Sequence, residues 1–221
     1  MNNTPYNAVI FDLDGTLLNT LEDLANSMNR VLGQNGFPTH QTDAYRYFVG
    51  DGALELVNRA LPIEKRIDSI ATQCLEDFRT DYRENWKIKT APYEGVPEML
   101  DALKMRKVKM AILSNKPHEH TKRCVTELLP QWDFSIVLGQ RNGIPRKPDP
   151  IGAFEVAEHM NIPPSEFIYL GDTDIDMKTS VTAGMFPVGA LWGFRTAEEL
   201  QESGAQALIS HPLEILPLLV P

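Results

Sequence analysis

The chain has 221 residues, of which 43% are hydrophobic and 23% charged, an ordinary globular composition long enough to bury a core without disulfides or structural metals. Thirty acidic residues against 21 basic ones leave a formal net charge of −9, the wrong sign for a nucleic-acid surface. The length suits one large domain or one domain carrying a modest insertion.

In chain order, Met1 to Tyr6 has no basic n-region and no apolar h-region, so no secretory signal is expected. The first apolar run, Ala8-Val9-Ile10-Phe11, is short, β-branched and closed by Asp12-Leu13-Asp14-Gly15-Thr16, which predicts a buried strand feeding a tight turn. From Leu17 to about Ala91 no strand is expected. Leu21, Leu24, Met28, Val31 and Leu32 share one helical face, ended by Gly33 or Gly36. Ala53 to Ala60 is a second helix, opening after Gly50-Asp51-Gly52, and Ile63, Ile67, Ile70, Cys74, Leu75, Phe78 and Tyr82 predict a third, longer one. The pattern then changes. Strand-like runs at Val108 to Leu113, Ser135 to Leu138, Phe167 to Leu170 and Pro187 to Leu191, with Ala207-Leu208-Ile209 weaker, alternate with helical stretches. Val96, Met99, Leu100 and Leu103 lie on one such helix face, Ile151, Phe154 and Ala157 on another, and Asp174 to Ala183 forms a third with Thr173 or Asp174 as N-cap. Strands alternating with helices imply an α/β fold with a parallel sheet. The expected layout is a Rossmann-like, doubly wound core of residues 1–16 and 91–221 and an inserted all-helical domain of residues 17–90. Cys74 and Cys124 form no CxxC pattern and sit in amphipathic stretches, so both are expected to be buried as small apolar residues. No run of roughly 18 apolar residues is present, so no membrane span is expected and the cytoplasm is the expected location.

In an open parallel sheet, ligands bind outside the carboxyl ends of the strands. Asp12 and Asp14 follow the first strand, Ser114-Asn115-Lys116 the second, Arg146-Lys147-Pro148-Asp149-Pro150 the third, and Gly171-Asp172-Thr173-Asp174-Ile175-Asp176 the fourth. Four strand ends thus deliver carboxylates, a hydroxyl and a lysine to one rim. Repulsion among the carboxylates calls for a divalent cation with oxygen preference, and Mg²⁺ takes one or two carboxylates while keeping several waters. A phosphate ester is the natural substrate of such a site.

The ordered set Asp12-Leu13-Asp14-Gly15-Thr16, Ser114, Lys147 and Gly171-Asp172-x-x-x-Asp176 resembles the four motifs of the haloacid dehalogenase (HAD) superfamily phosphatases, over nearly the whole chain. The helical block between the first two motifs resembles the C1-type cap of the phosphoglycolate phosphatase-like branch, as do the strings Asp12–Thr20 and Leu113–Pro117. The resemblance implies that Asp12 is a nucleophile forming an aspartyl-phosphate, and that Asp14 protonates the leaving alkoxide and then deprotonates water. It implies Mg²⁺ held by Asp12, the backbone carbonyl of Asp14 and Asp172, with Asp176 orienting the metal's water shell. Ser114 would hydrogen-bond a phosphoryl oxygen, helped by backbone N–H groups of Leu13, Asp14 and Asn115. Lys147 would offset negative charge on Asp12 and the phosphoryl group. Thr16 is expected to stabilise the turn and not to touch substrate. The implied partner is a small phosphate ester, not nucleic acid and not a membrane; no oligomeric state follows.

Several residues have bland alternatives. Asp12 and Asp14 also suit an Asx turn, Ser114 an N-cap near Pro117, Lys147 a solvated loop, and Asp174 and Asp176 the first turn of a helix. His118 and His120 are expected at the surface, since two residues apart on a helix they do not face each other. Trp192-Gly193-Phe194-Arg195 either borders the site or covers an edge of the core. Lys116 either meets an anionic substrate or is a solvated flank. Gly50-Asp51-Gly52 could form an anion nest, with Arg46 and Arg59 as nearby charges. On the same scaffold the alternatives to a 2-phosphoglycolate-like phosphatase are a phosphomutase of the β-phosphoglucomutase type, a pyrophosphatase, a sugar phosphatase and a silent phosphate-sensing module.

Overall fold

Six of the predicted strands form one sheet in the computed structural model, which describes residues 6–219. They are β1 (Ala8–Phe11), β4 (Lys109–Pro117), β5 (Ile136–Gln140), β6 (Phe167–Gly171), β7 (Phe186–Ala190) and β8 (Ala207–Ile209), in the order β5-β4-β1-β6-β7-β8. Every pairing is parallel. This is the Rossmann-like α/β core expected from the alternation. All of Met1–Pro5 lies outside the described residues, so the reading of the N-terminus rests on sequence alone.

Short apolar runs make central strands here because both faces of the sheet are covered. On one face, Ala8, Ile10, Ala111, Leu113, Leu138, Phe167 and Tyr169 pack with Ala153, Val156, Ala157 and Met160 of α7 (Ile151–Met160) and with Ala183 and Met185. The two-residue period turns Val9, Phe11, Met110, Ile112, Ile168 and Leu170 to the other face, and all six are buried. From β1 the chain winds outward one way through β4 and β5, and then the other way through β6, β7 and β8. The winding direction therefore reverses at β1, where open α/β sheets place their ligand crevice.

The chain divides into two compact units, Met1–Leu18 with Pro92–Pro221, and Asn19–Ala91. It crosses between them at two short strands, β2 (Leu18–Asn19) and β3 (Ala91–Pro92), which pair with each other and were not foreseen. Within the second unit, α1 (Leu21–Gln34) buries Leu24, Ala25, Met28, Val31 and Leu32, and runs through Gly33 to a cap at Asn35. Besides the short α2 (Tyr45–Phe48), α3 (Ala53–Ala60) buries Leu56, Val57 and Ala60, and α4 (Asp68–Asn85) buries Ala71, Cys74, Leu75, Phe78 and Tyr82. Arg30 of α1 reaches both carboxylate oxygens of Asp81 on α4. Asp23, 2% exposed, accepts from Lys89 N, Thr90 N and Thr90 Oγ1 at 2.8–3.1 Å. The helix expected from Ile63 begins five residues later. Ile67 is extended (φ −110°, ψ 144°), and Ile63 and Ile67 are 79% and 54% exposed. Their spacing suits a helix, but no core face receives them, and burial sustains an amphipathic helix more than periodicity does.

In the first unit, α5 (Val96–Met105) precedes β4, α6 (His118–Leu128) follows it, α8 (Asp174–Ala183) follows β6 and α9 (Ala197–Glu202) follows β7. Strand β4 runs on to Pro117 with an irregularity after Leu113. Ser114, Asn115 and Lys116 therefore lie on the strand, not beyond it, and Ser114 is no helix cap: α6 is preceded by Pro117, with no side-chain cap. Both cysteines are free and buried. No helix among the described residues is long and apolar enough to cross a membrane.

Candidate active site

The turn after β1 is tied tightly. Leu17 N and Leu18 N both donate to Leu13 O at 3.0 and 2.9 Å, and Gly15 N donates to Leu18 O at 2.9 Å. Gly15 has φ +89°, and a Cβ there would collide with the Asp172 carboxylate and the Phe194 ring. This close approach lets Thr16 Oγ1 donate to Asp172 Oδ1 at 2.7 Å. The other oxygen of Asp172 accepts from Phe194 N at 2.9 Å. Trp192 Nε1 donates to Thr16 O at 3.0 Å, and a Cβ on Gly193 would also collide with Asp172. The Trp192–Arg195 segment thus borders the site.

Lys147 is the central cation. Its Nζ lies 3.0 Å from Asp12 Oδ1, 2.7 Å from Asp176 Oδ1 and 3.0 Å from Leu113 O. Asn115 fixes the lysine's backbone from both sides: its Oδ1 accepts from Lys147 N at 3.0 Å and its Nδ2 donates to Lys147 O at 3.1 Å. Asp176 is the N3 residue of a capping box at the start of α8, where its Oδ2 accepts from Thr173 N at 3.1 Å and Thr173 Oγ1 at 2.6 Å. It is therefore a first-turn acid and a site residue at once. Asp174 faces away, pairing with Lys178 at 2.6 Å.

Asp12, Asp172 and Asp176 are all buried, and one carboxylate oxygen from each lies within 4.8 Å of the others. Burial, then Asp176 and Asp14, push the Asp12 carboxyl up to about 7 against the pull of Lys147. Burial, with the Asp176 and Asp12 charges, holds Asp172 well above the usual carboxylate range. Burial disfavours charge on Lys147, but Asp12 and Asp176 outweigh it and raise its pKa well above normal. Three carboxylates against one ammonium leave excess negative charge in a dry place. Asp12 Oδ1 has the Lys147 ammonium 3.0 Å away and no other donor among the described residues. An oxygen-only donor set of three buried carboxylates sharing one ammonium fits a hard divalent cation.

Asp14 stands apart from that group. Both of its oxygens accept from Lys116 Nζ at 2.9 Å, and the two side chains are 13% and 5% exposed. Lys116 is thus no solvated flank. Ser114, 4% exposed, accepts from Lys116 N at 3.3 Å through its Oγ.

Other expectations change. His118 is half-buried and accepts from Gly139 N through Nδ1 at 3.2 Å. His120 is half-buried too, and desolvation holds its pKa down to about 3. Neither is the surface residue expected. In the helical unit Arg59 pairs with Asp51, and Arg46 with Asp43 at 2.7 Å, so both arginines already serve partners of their own unit.

The family model for haloacid dehalogenase-like hydrolases matches residues 9–190. A phosphoglycolate phosphatase from Aquifex aeolicus is 29% identical over 211 residues, covering 96% of this chain and 95% of its own. One from Pseudomonas putida is 32% identical over 217 residues, covering 95% of this chain and 78% of its own. A crystal structure from Lactobacillus delbrueckii subsp. bulgaricus, provisionally named a phosphoglycolate phosphatase, superposes with a TM-score of 0.91 at 30% identity, over 98% of this chain and 100% of its own. Fold, carboxylate rim and matched span agree, and the chain belongs to the haloacid dehalogenase-like hydrolases.

Proposed function

We propose that this protein is a Mg²⁺-dependent phosphatase hydrolysing a small, 2-phosphoglycolate-like monoester through an aspartyl-phosphate on Asp12. The observation that carries the reading is Asp12 itself: a buried carboxylate at the reversal point of the sheet, 3.0 Å from a buried lysine that it shares with Asp176. The names of the similar proteins support the substrate class.

In the first step a carboxylate oxygen of Asp12 bonds to phosphorus as the ester P–O bond breaks, and Asp14 delivers a proton to the departing alkoxide. In the second, Asp14 takes a proton from water as that water attacks the phosphorus and releases Asp12. One group acts as acid and then base because the two steps run in opposite directions. Lys147 screens Asp12 from the incoming anion, and Ser114 Oγ donates to a phosphoryl oxygen, so the chain contributes positioning and electrostatics. Mg²⁺ would be held by Asp12, Asp172 and the backbone carbonyl of Asp14, with Asp176 beside it, and when bound it would neutralise charge on the phosphoryl oxygens. The helical unit Asn19–Ala91 takes the role of the cap that chooses the leaving group.

The test is phosphate release with Mg²⁺ and with EDTA across 2-phosphoglycolate, pyrophosphate, nucleoside monophosphates and sugar phosphates. A preference of about 10²-fold in kcat/KM for phosphoglycolate, roughly 3 kcal/mol of selective transition-state binding, is expected. Turnover undiminished in EDTA would overturn the metal's role. Interconversion of hexose phosphates without release of phosphate would make the protein a mutase.

A further inference from the structure

Lys116 is the second buried lysine at the carboxyl ends of the strands, and the chemistry above makes no use of it. Its side chain is 5% exposed. Burying an ammonium costs several kcal/mol unless a partner compensates, and a lysine with four flexible bonds normally keeps its charge in water. Here the residue is held on every side. Its N–H donates to Ser114 Oγ at 3.3 Å, and its carbonyl accepts from Thr121 Oγ1 at 3.1 Å. The missing Cβ of Gly139 would lie 2.5 Å from that same carbonyl. The anchored ammonium meets both oxygens of Asp14 at 2.9 Å. A two-oxygen contact fixes both side-chain torsions of an aspartate, where a single contact leaves the carboxylate free to rotate.

The geometry has a consequence for the carboxylates. Asp14 lies two residues from Asp12, yet Asp12, Asp172 and Asp176 gather within 4.8 Å without it. A cation among those three would attract a fourth carboxylate that was free to swing. We propose that Lys116 is a positioning residue that holds the Asp14 side chain apart from the metal-binding carboxylates and reserves it for proton transfer to and from the reacting oxygens. The inference rests on the role given to Asp14 above, and it concerns where the carboxylate is held, not how tightly it binds its proton.

The test compares an alkyl phosphate, 2-phosphoglycolate, with p-nitrophenyl phosphate, whose leaving group departs without a donated proton. Lys116→Met should lower kcat for the alkyl ester about 10²-fold, with KM nearly unchanged, and lower kcat for the aryl ester less than about fivefold. Lys116→Arg, whose fork can still engage both oxygens, should restore most of the alkyl rate. If Lys116→Met does not give folded protein by circular dichroism, Lys116→Gln, which keeps one donor, replaces it with the same expectation. Asp14→Asn is the reference. If it leaves the alkyl-to-aryl ratio unchanged, the role of Asp14 fails. If it collapses the ratio and the Lys116 variants do not, the Lys116 proposal alone is overturned. A rise in KM for phosphoglycolate at constant kcat would equally overturn it, since Lys116 would then bind the substrate's anion and not position Asp14.

Discussion

Replacing Asp12 by Asn should abolish turnover and yet make the metal-free protein more stable. Asp12, Asp172 and Asp176 share one buried ammonium, Lys147. Burial and the neighbouring charges move the Asp12 carboxyl from an ordinary 3.8 up to about 7. The folded state therefore holds this proton more tightly than the unfolded chain does. The sign follows: wild-type stability falls as pH rises from the unfolded pKa through the folded one, and the loss is complete above it. At about 1.4 kcal/mol per pH unit, the window is worth about 4 kcal/mol. Asparagine carries no such penalty but forfeits the ion pair with Lys147, so a net gain of about 1–3 kcal/mol is expected near neutral pH. Urea unfolding in EDTA measures it. The advantage of Asp12→Asn should be present at about pH 7.5 and shrink to within about 1 kcal/mol at about pH 4.5, where Asp12 is already protonated in the folded wild type. Adding Mg²⁺ should reverse the order, since the wild type gains more from binding. A variant no more stable than wild type in EDTA at neutral pH, or a gap independent of pH, would refute the idea that this carboxylate is stressed when the metal is missing.

Three other perturbations address the supports of the site and the helical unit. Thr16→Val removes the side-chain donor to Asp172, leaving the Phe194 N–H, and should weaken Mg²⁺ binding about 10–100-fold by calorimetric titration; unchanged affinity would mean that the bond does not orient the carboxylate. Gly193→Ala would bring a methyl group to 2.5 Å from Asp172 Oδ2, so it should destabilise the fold by about 1–3 kcal/mol and lower Mg²⁺ affinity, and an unshifted melting temperature would show that the loop gives way freely. Asp23→Ala strands Lys89 N, Thr90 N and Thr90 Oγ1 and should cost about 2–4 kcal/mol in urea unfolding; a loss below about 1 kcal/mol would mean that water replaces the carboxylate.

Whatever was local in the chain was legible in it. Ala8–Phe11 announces a central strand because it is apolar on both alternating faces, and the acids behind it announce the rim. Asp172 and Asp176 are legible for the same reason, following the apolar run Phe167–Leu170 directly. The polar end of β4 was not, because Ser114-Asn115-Lys116 reads as a loop although its residues are buried and the strand runs to Pro117. Nor was the partner of Lys116, since facing residues on parallel strands depend on a register that sets Phe11 opposite Ile112. The side-chain donor to Asp172, Thr16, lies 156 positions away from it, and the Trp192–Phe194 loop joins them from a third place. Ile63 and Ile67 show the converse error: correct helical spacing with no core to receive it.

The placement of β1 also orders events during synthesis. Both of its neighbours, β4 and β6, come later in the chain, and Ala8 pairs first with Lys109. Between them emerges the whole of Asn19–Ala91, whose helices carry their own buried residues. At ~5–20 residues per second, β1 waits about 5–20 s for a partner. For that interval an apolar run, Ala-Val-Ile-Phe, has no strand to pair with, while the helical unit already has all its residues. Asp12 is thus made early and fixed late: its surroundings exist only once residues 147, 172 and 176 have left the ribosome. Truncated chains ending before β4 would carry the carboxylate without its site and would leave this apolar strand with no strand to pair with, a vulnerability that belongs to the order of assembly and not to the finished molecule.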